Sequence, residues 1–105
     1  MELKDIQNKV EVFIKNNNLD ATVEVRVLDL VSEVGELAKE VLKGSNYGKK
    51  SLALSDEWEK EIGDVLFSLI TIANMTSIDL EKSLIVVLDK YKKRMEEKGH
   101  IASDA

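Results

Sequence analysis

Acidic residues recur at one spacing in two places: Glu33 and Glu36 in Ser32-Glu33-Val34-Gly35-Glu36, and Glu61 and Asp64 in Lys60-Glu61-Ile62-Gly63-Asp64. Each motif reads acid-x-x-acid inside an apolar rhythm of about 3.6 residues, so on a helix its two acids stand one turn apart on one face. Like charges placed this way weaken an isolated helix by roughly a few tenths of a kcal/mol. A divalent cation held between them offsets that cost. The donors are all carboxylate oxygens, which suits Mg²⁺, or Mn²⁺, hard cations that also take phosphate oxygens. For either motif alone, solvated acids on a helix surface are the better explanation of the pattern. The repetition points to a clamp, and so does the Gly before each second acid, Gly35 and Gly63. Mid-helix Gly costs about 1 kcal/mol relative to Ala, which implies a close approach of the helices or of a ligand at both places.

The elements that must position these acids follow from apolar periodicity. Leu3, Ile6, Val10, Phe13 and Ile14 predict a helix from about Glu2 to Lys15, ended by Asn16-Asn17-Asn18. The stretch Thr22 to Val27 alternates like a half-buried strand, but Val23, Val27, Leu30, Val31, Val34, Leu37, Ala38, Val41 and Leu42 form one helical stripe through it. With no second strand to pair, a second helix is expected from Thr22 to Lys43, capped by Asp20 or Thr22 and stopped by Gly44. A connection from Gly44 to Leu54 follows, long for a helical hairpin. Ser55-Asp56-Glu57 reads as the start of a third helix, whose Trp58, Ile62, Val65, Leu66, Leu69, Ile70 and Ala73 should be its buried stripe and whose end falls near Thr76 or Ser77. Asp79 caps a fourth, which Gly99 ends. Its run Leu84-Ile85-Val86-Val87-Leu88 is apolar all round, more than one face needs, so burial against another subunit is expected, in a dimer or tetramer.

The chain therefore reads as all-α and four-helix bundle-like, one domain over residues 1–105. Zero prolines and five glycines favour helix, and zero cysteines exclude disulfides and thiolate metal sites. A net charge of -5 speaks against a nucleic-acid partner. The N-terminus lacks a basic segment followed by an apolar core, and no apolar run approaches the roughly 20 residues of a membrane span. A soluble, cytoplasmic protein is the expectation.

The acidic blocks resemble a known family. Glu33-x-x-Glu36, 24 intervening residues, then Glu61-x-x-Asp64 is similar to the signature of the MazG-type all-α nucleoside triphosphate pyrophosphohydrolases. The resemblance runs from about Arg26 to Gly99, through Leu30 to Ala38, Glu61 to Leu66, Ile78-Asp79-Leu80 and Lys90-Tyr91-Lys92-Lys93-Arg94. The chain has Ser32 and Lys60 where members commonly carry a further Glu, and Lys90-Tyr91 where they often show Lys-Asn. The resemblance implies hydrolysis of a nucleoside triphosphate to monophosphate and pyrophosphate, with Glu33, Glu36, Glu61 and Asp64 holding Mg²⁺ and a carboxylate, Glu36 or Glu61, taking the proton of the attacking water.

Cations must offset the remaining phosphate charge. Lys39 and Lys43 on the second helix, Lys49 and Lys50 in the connection, and Lys90, Lys93 and Arg94 on the fourth are the candidates, with Lys39, Lys49, Lys90 and Arg94 preferred. Trp58 is a candidate for stacking on a base, although a Trp at a core edge also serves packing. Asn74 could bind a base but is read as helping to end the third helix, and His100 is given no role. The competing readings are a phosphoribosyl-ATP pyrophosphohydrolase and a non-catalytic helical oligomerisation module. A di-iron carboxylate bundle would need Glu-x-x-His motifs, which a chain with His100 as its single histidine does not have.

Overall fold

In the computed structural model, which describes residues 1–103, apolar periodicity and cap chemistry resolve into four helices: α1 (Leu3–Asn16), α2 (Val23–Gly44), α3 (Glu57–Met75) and α4 (Leu80–Lys98). No strand occurs among the described residues. Residues 104 and 105, where the one-domain reading ends, lie outside them. The helix bounds differ from those read off the sequence by a residue or two, because side chains fix them locally. Thr22 Oγ1 accepts the N–H of Val25 at 3.3 Å, which starts α2 as a helix across the strand-like stretch. Asp79 Oδ1 accepts the N–H groups of Glu81 (3.0 Å) and Lys82 (3.2 Å) at the start of α4. Gly99 closes α4 in the left-handed region at φ 75°, where Gly escapes the Cβ penalty.

α2 and α3 pack antiparallel. At one end the Ala53 N–H donates to Gly44 O (3.0 Å) and Ser55 Oγ donates to Glu40 Oε2 (3.3 Å). At the other, Arg26 lies by Thr71, Asn74 and Met75. Gly44 does not stop α2 by a left-handed turn. It is the last helical residue, and a Cβ there would lie 2.5 Å from Ala53 O, so only Gly admits the returning chain. The close helix approach expected at Gly35 and Gly63 is absent within the protomer, since an added Cβ at either would meet nothing within 4 Å. Both glycines face open space, away from the line along which the two helices touch.

α1 lies antiparallel on the C-terminal half of α3. The Phe13 and Phe67 rings meet edge to face at 6.3 Å, and Ile14, Ile70 and Ala73 form the buried apolar core beside Gln7, Ser68 and Thr71. Between α3 and α4 the chain bends by 103°. α4 packs on α1 and makes at most marginal contact with α2 and α3. No single helix is long and apolar enough to cross a membrane.

This arrangement overturns part of the expected core. On α2 the stripe residues Val27, Val31, Val34, Val41 and Leu42 are exposed, as are Ile62, Leu66 and Leu69 on α3. On α4, Leu84, Ile85, Val86 and Leu88, the run expected to lie against another subunit, are exposed in the protomer. Neither α2 nor α4 has a fully buried residue. The cause is geometric: a stripe this wide needs two neighbouring helices, and α2 has only α3. The protomer is open as a result. Its radius of gyration is 17.0 Å, against about 13 Å for a compact domain of this length. Its accessible surface is 7918 Å², some 2,000 Å² above the roughly 5,900 Å² expected of a compact monomer of this mass.

Candidate metal centre

Glu33 stands midway along α2, and Glu61 and Asp64 stand one turn apart in the N-terminal half of α3, where the antiparallel pairing sets the two motifs opposite each other. One carboxylate oxygen from each of Glu33, Glu61 and Asp64 comes within 4.8 Å of the others. Glu33 and Glu61 are half-buried at the seam between the helices, and Asp64 is exposed. Glu36, the fourth expected ligand, is exposed and lies outside this triad. Its charge is still felt there. The Glu61 carboxyl is held above the usual carboxylate range, first by partial desolvation and then by the charges of Asp64, Glu36, Glu33 and Glu40.

The ion pairs among the described residues join Lys15 to Glu11, Arg26 to Asp29, Lys60 to Glu57 and Lys93 to Asp89, and none reaches the triad. Converging carboxylates without a countercharge are the donor set that a hard divalent cation satisfies. The geometry therefore fits Mg²⁺ or Mn²⁺, with Glu33, Glu61 and Asp64 as the residues already gathered to hold it.

The other expected site residues are scattered. Lys39 on α2 and Lys49 in the connection are exposed, and Trp58 is half-buried in the first turn of α3. Lys90 Nζ sits 5.2 Å over the Tyr91 ring, and Arg94 Nη1 donates to Ile101 O at 2.9 Å. Because α4 turns away from the α2–α3 pair, Lys90 and Arg94 are not brought to the triad within the protomer. Asn74 neither binds an open cleft with its amide nor merely ends α3. Its Oδ1 accepts from Gln7 Nε2 (3.0 Å), and its Nδ2 donates to Gln7 O (2.9 Å).

Gln7 is the structural residue that periodicity alone passes over. Its Nε2 also donates to Ile78 O (2.9 Å), and its Oε1 accepts the N–H of Leu80 (3.0 Å), the first residue of α4. The signal was present: Gln7 occupies the apolar face of α1 between Leu3 and Val10, where a polar residue demands partners. Arg26 is a second such case. Its side chain is only 13% exposed, donates to Leu19 O, and keeps a buried Nε without a partner.

The family model of the MazG nucleotide pyrophosphohydrolase domain matches residues 21–98. The chain is 35% identical over 96 residues to the uncharacterized protein YpjD of Bacillus subtilis (strain 168), covering 88% of this chain and 85% of that one. Among solved structures it is similar to the putative pyrophosphatase YPJD from Bacillus subtilis, with a TM-score of 0.73, 38% identity and coverage of 90% and 96% of the two chains. It is also similar to the Bacillus-conserved MazG protein, described as a nucleotide pyrophosphohydrolase, with a TM-score of 0.72, 34% identity and coverage of 87% and 89%. α2, α3 and α4 lie inside the matched region, with both acidic motifs, and the match spans well over half of the chain, so the chain belongs to the MazG nucleotide pyrophosphohydrolase family.

Proposed function

We propose that this protein is a Mg²⁺-dependent nucleoside triphosphate pyrophosphohydrolase, converting a nucleoside or deoxynucleoside triphosphate and water to the monophosphate and pyrophosphate in cytoplasmic nucleotide housekeeping. The observation that carries the reading is the convergence of Glu33, Glu61 and Asp64 within 4.8 Å, without a cationic partner, in a chain of this family. When bound there, Mg²⁺ (or Mn²⁺) neutralises phosphate oxygens and acidifies water. In the reaction the water oxygen bonds to the α-phosphorus, the α–β anhydride bond breaks, and its electron pair leaves with pyrophosphate. Either Glu36, near the triad but outside it, or Glu61 accepts the water proton. Lys39, Lys49, Lys90 and Arg94 supply charge to the phosphates, and Trp58 offers its ring to the base.

The active form is a homo-oligomer closed partly through α4. The exposed stripes on α2, α3 and α4 support this, as does the surface excess of about 2,000 Å² per protomer, enough for an obligate interface. A second copy would also carry its own Lys90 and Arg94, which the protomer turns away from its triad. A pyrophosphate-release screen with Mg²⁺ over standard and modified nucleotides and phosphoribosyl-ATP, repeated with Glu36→Gln, tests the reading. Release from a nucleoside triphosphate, lost in the variant, supports it. No release from any of them, or full activity in E36Q, overturns it.

A further inference from the structure

Beyond the acidic triad, the connection between α2 and α3 is folded into a built cleft. Its volume is about 430 Å³, and its walls include Glu40, Lys43, Lys50, Ser55 and Glu57. Three successive residues, Asn46, Tyr47 and Gly48, hold positive φ (47°, 59° and 83°), and for a bulky residue such as Tyr47 this is a strained conformation. The strain is stabilised by hydrogen bonds that turn the chain back over the end of α2. Tyr47 N–H donates to Leu42 O (2.7 Å), Gly48 N–H to Ser45 Oγ (3.0 Å), and Lys50 N–H to Ser45 O (3.0 Å). The turn sets Lys50 in the same wall as Lys43.

Charge in the cleft is unevenly matched. Glu57 pairs with Lys60 at 3.4 Å, and Glu40 accepts the Ser55 hydroxyl at 3.3 Å. Lys43 and Lys50 have no carboxylate partner among the described ion pairs. Position along the helices matters equally. Glu57 lies four residues before Glu61 on α3, about 6 Å along the axis, and Glu40 seven beyond Glu33 on α2, about 10 Å, so the cleft begins one to two turns from the acidic centre toward the connection. Its near edge is within reach of a polyphosphate tail of two anhydride links whose first phosphorus sits at the triad.

We propose that Lys43 and Lys50 bind the β- and γ-phosphates of the substrate, and then the pyrophosphate product, in the cleft at the α2–α3 connection. This rests on the triphosphate reading above and assigns one direction to the substrate: the tail points to the connection and the nucleoside away from it. Lysine suits the task, because its ammonium donates to several phosphate oxygens without demanding one fixed plane.

The test is calorimetric binding of inorganic pyrophosphate to the oligomer in Mg²⁺, alongside steady-state kinetics, for wild type, Lys43→Met, Lys50→Met, the double variant, the double Lys→Arg variant and a Lys9→Met control on α1. Charge-assisted contacts of this kind lead to a loss of roughly tenfold or more in pyrophosphate affinity for each Lys→Met change. KM and the product-inhibition constant should rise in step, with kcat changing less. The Arg variant should recover most of the affinity, and Lys9→Met should leave it unchanged. Wild-type affinity in the double Met variant, or no pyrophosphate binding by a wild type that hydrolyses triphosphates, overturns the assignment. Failure of the wild type to hydrolyse any triphosphate would instead defeat the underlying reading, and the two results are distinguishable.

Discussion

Replacing Gln7 by Leu tests whether one buried amide sets the direction of α4. The side chain has nearly the same volume, so packing is kept while its polar contacts are removed. Those are the bonds from Nε2 to Asn74 Oδ1 and Ile78 O and from Leu80 N–H to Oε1. Each such bond contributes a net of about 1 kcal/mol, and a stranded buried partner costs about 1–3 kcal/mol when fully dry. Gln7 itself is 7% exposed, but Asn74 and the turn to α4 are only part-buried and water reaches them. The expected loss is therefore about 2–4 kcal/mol, a large share of the 5–15 kcal/mol typical of a domain. Urea denaturation followed by circular dichroism at one fixed protein concentration measures it. Amide exchange should quicken most at the start of α4. Adding Asn74→Leu should cost less than the two single changes summed, because apolar partners no longer strand each other. A Gln7→Leu protein within about 0.5 kcal/mol of wild type, the scatter of surface substitutions, would refute the argument.

Other outcomes follow from the same structure. Mg²⁺ at a hundred times its dissociation constant should stabilise the protein by about 2.7 kcal/mol, and Glu33→Gln or Asp64→Asn should remove most of that gain in thermal melts; identical wild-type melts with and without metal would rule the centre out. Glu61 binds its proton more tightly folded than unfolded, so without metal its contribution is present at low pH and lost as pH rises through its raised range; Glu61→Gln should flatten that part of the stability–pH curve. Gly44→Ala should destabilise by about 1–2 kcal/mol despite the better helix propensity of Ala, because the new Cβ meets Ala53 O at 2.5 Å; an increase in stability would mean that the connection yields freely. Val86→Glu, at a site 67% exposed in the protomer, should leave the helix content intact and reduce the sedimenting species to 11.8 kDa; an unchanged oligomer would place the interface elsewhere, and a wild type already at that mass would dismiss it.

Helix positions were legible in the sequence because they are set locally. Thr22 and Asp79 cap helices with atoms two or three residues away, and Gly99 ends one by its own φ. The triad was legible for a related reason: spacing puts Glu61 and Asp64 on one face, and antiparallel pairing then brings Glu33 opposite them. Contacts across large sequence separation were not. Gln7 and Asn74 are 67 residues apart, and nothing in either segment names the other. The cleft lysines were visible only as members of a list, since choosing Lys43 and Lys50 from it depends on left-handed residues at Asn46 and Tyr47 that composition does not announce.

The misplaced part of the core has the most direct bearing on function. Periodicity reports which face of a helix is apolar, but not whether the neighbour that covers it belongs to the same chain. On α2 the stripe carries Val27, Val31 and Val34 beyond the reach of α3, and they flank the very turn that carries Glu33. In the proposed oligomer, the copy that covers those valines also sets the dielectric and the water access of the acids beside them. The same holds for α4, whose apolar run points away from its own α2–α3 pair and whose Lys90 and Arg94 go with it. Assembly and catalysis are thus expected to fail together: a substitution that frees the protomer should weaken both the metal centre and its phosphate contacts, although it lies in neither.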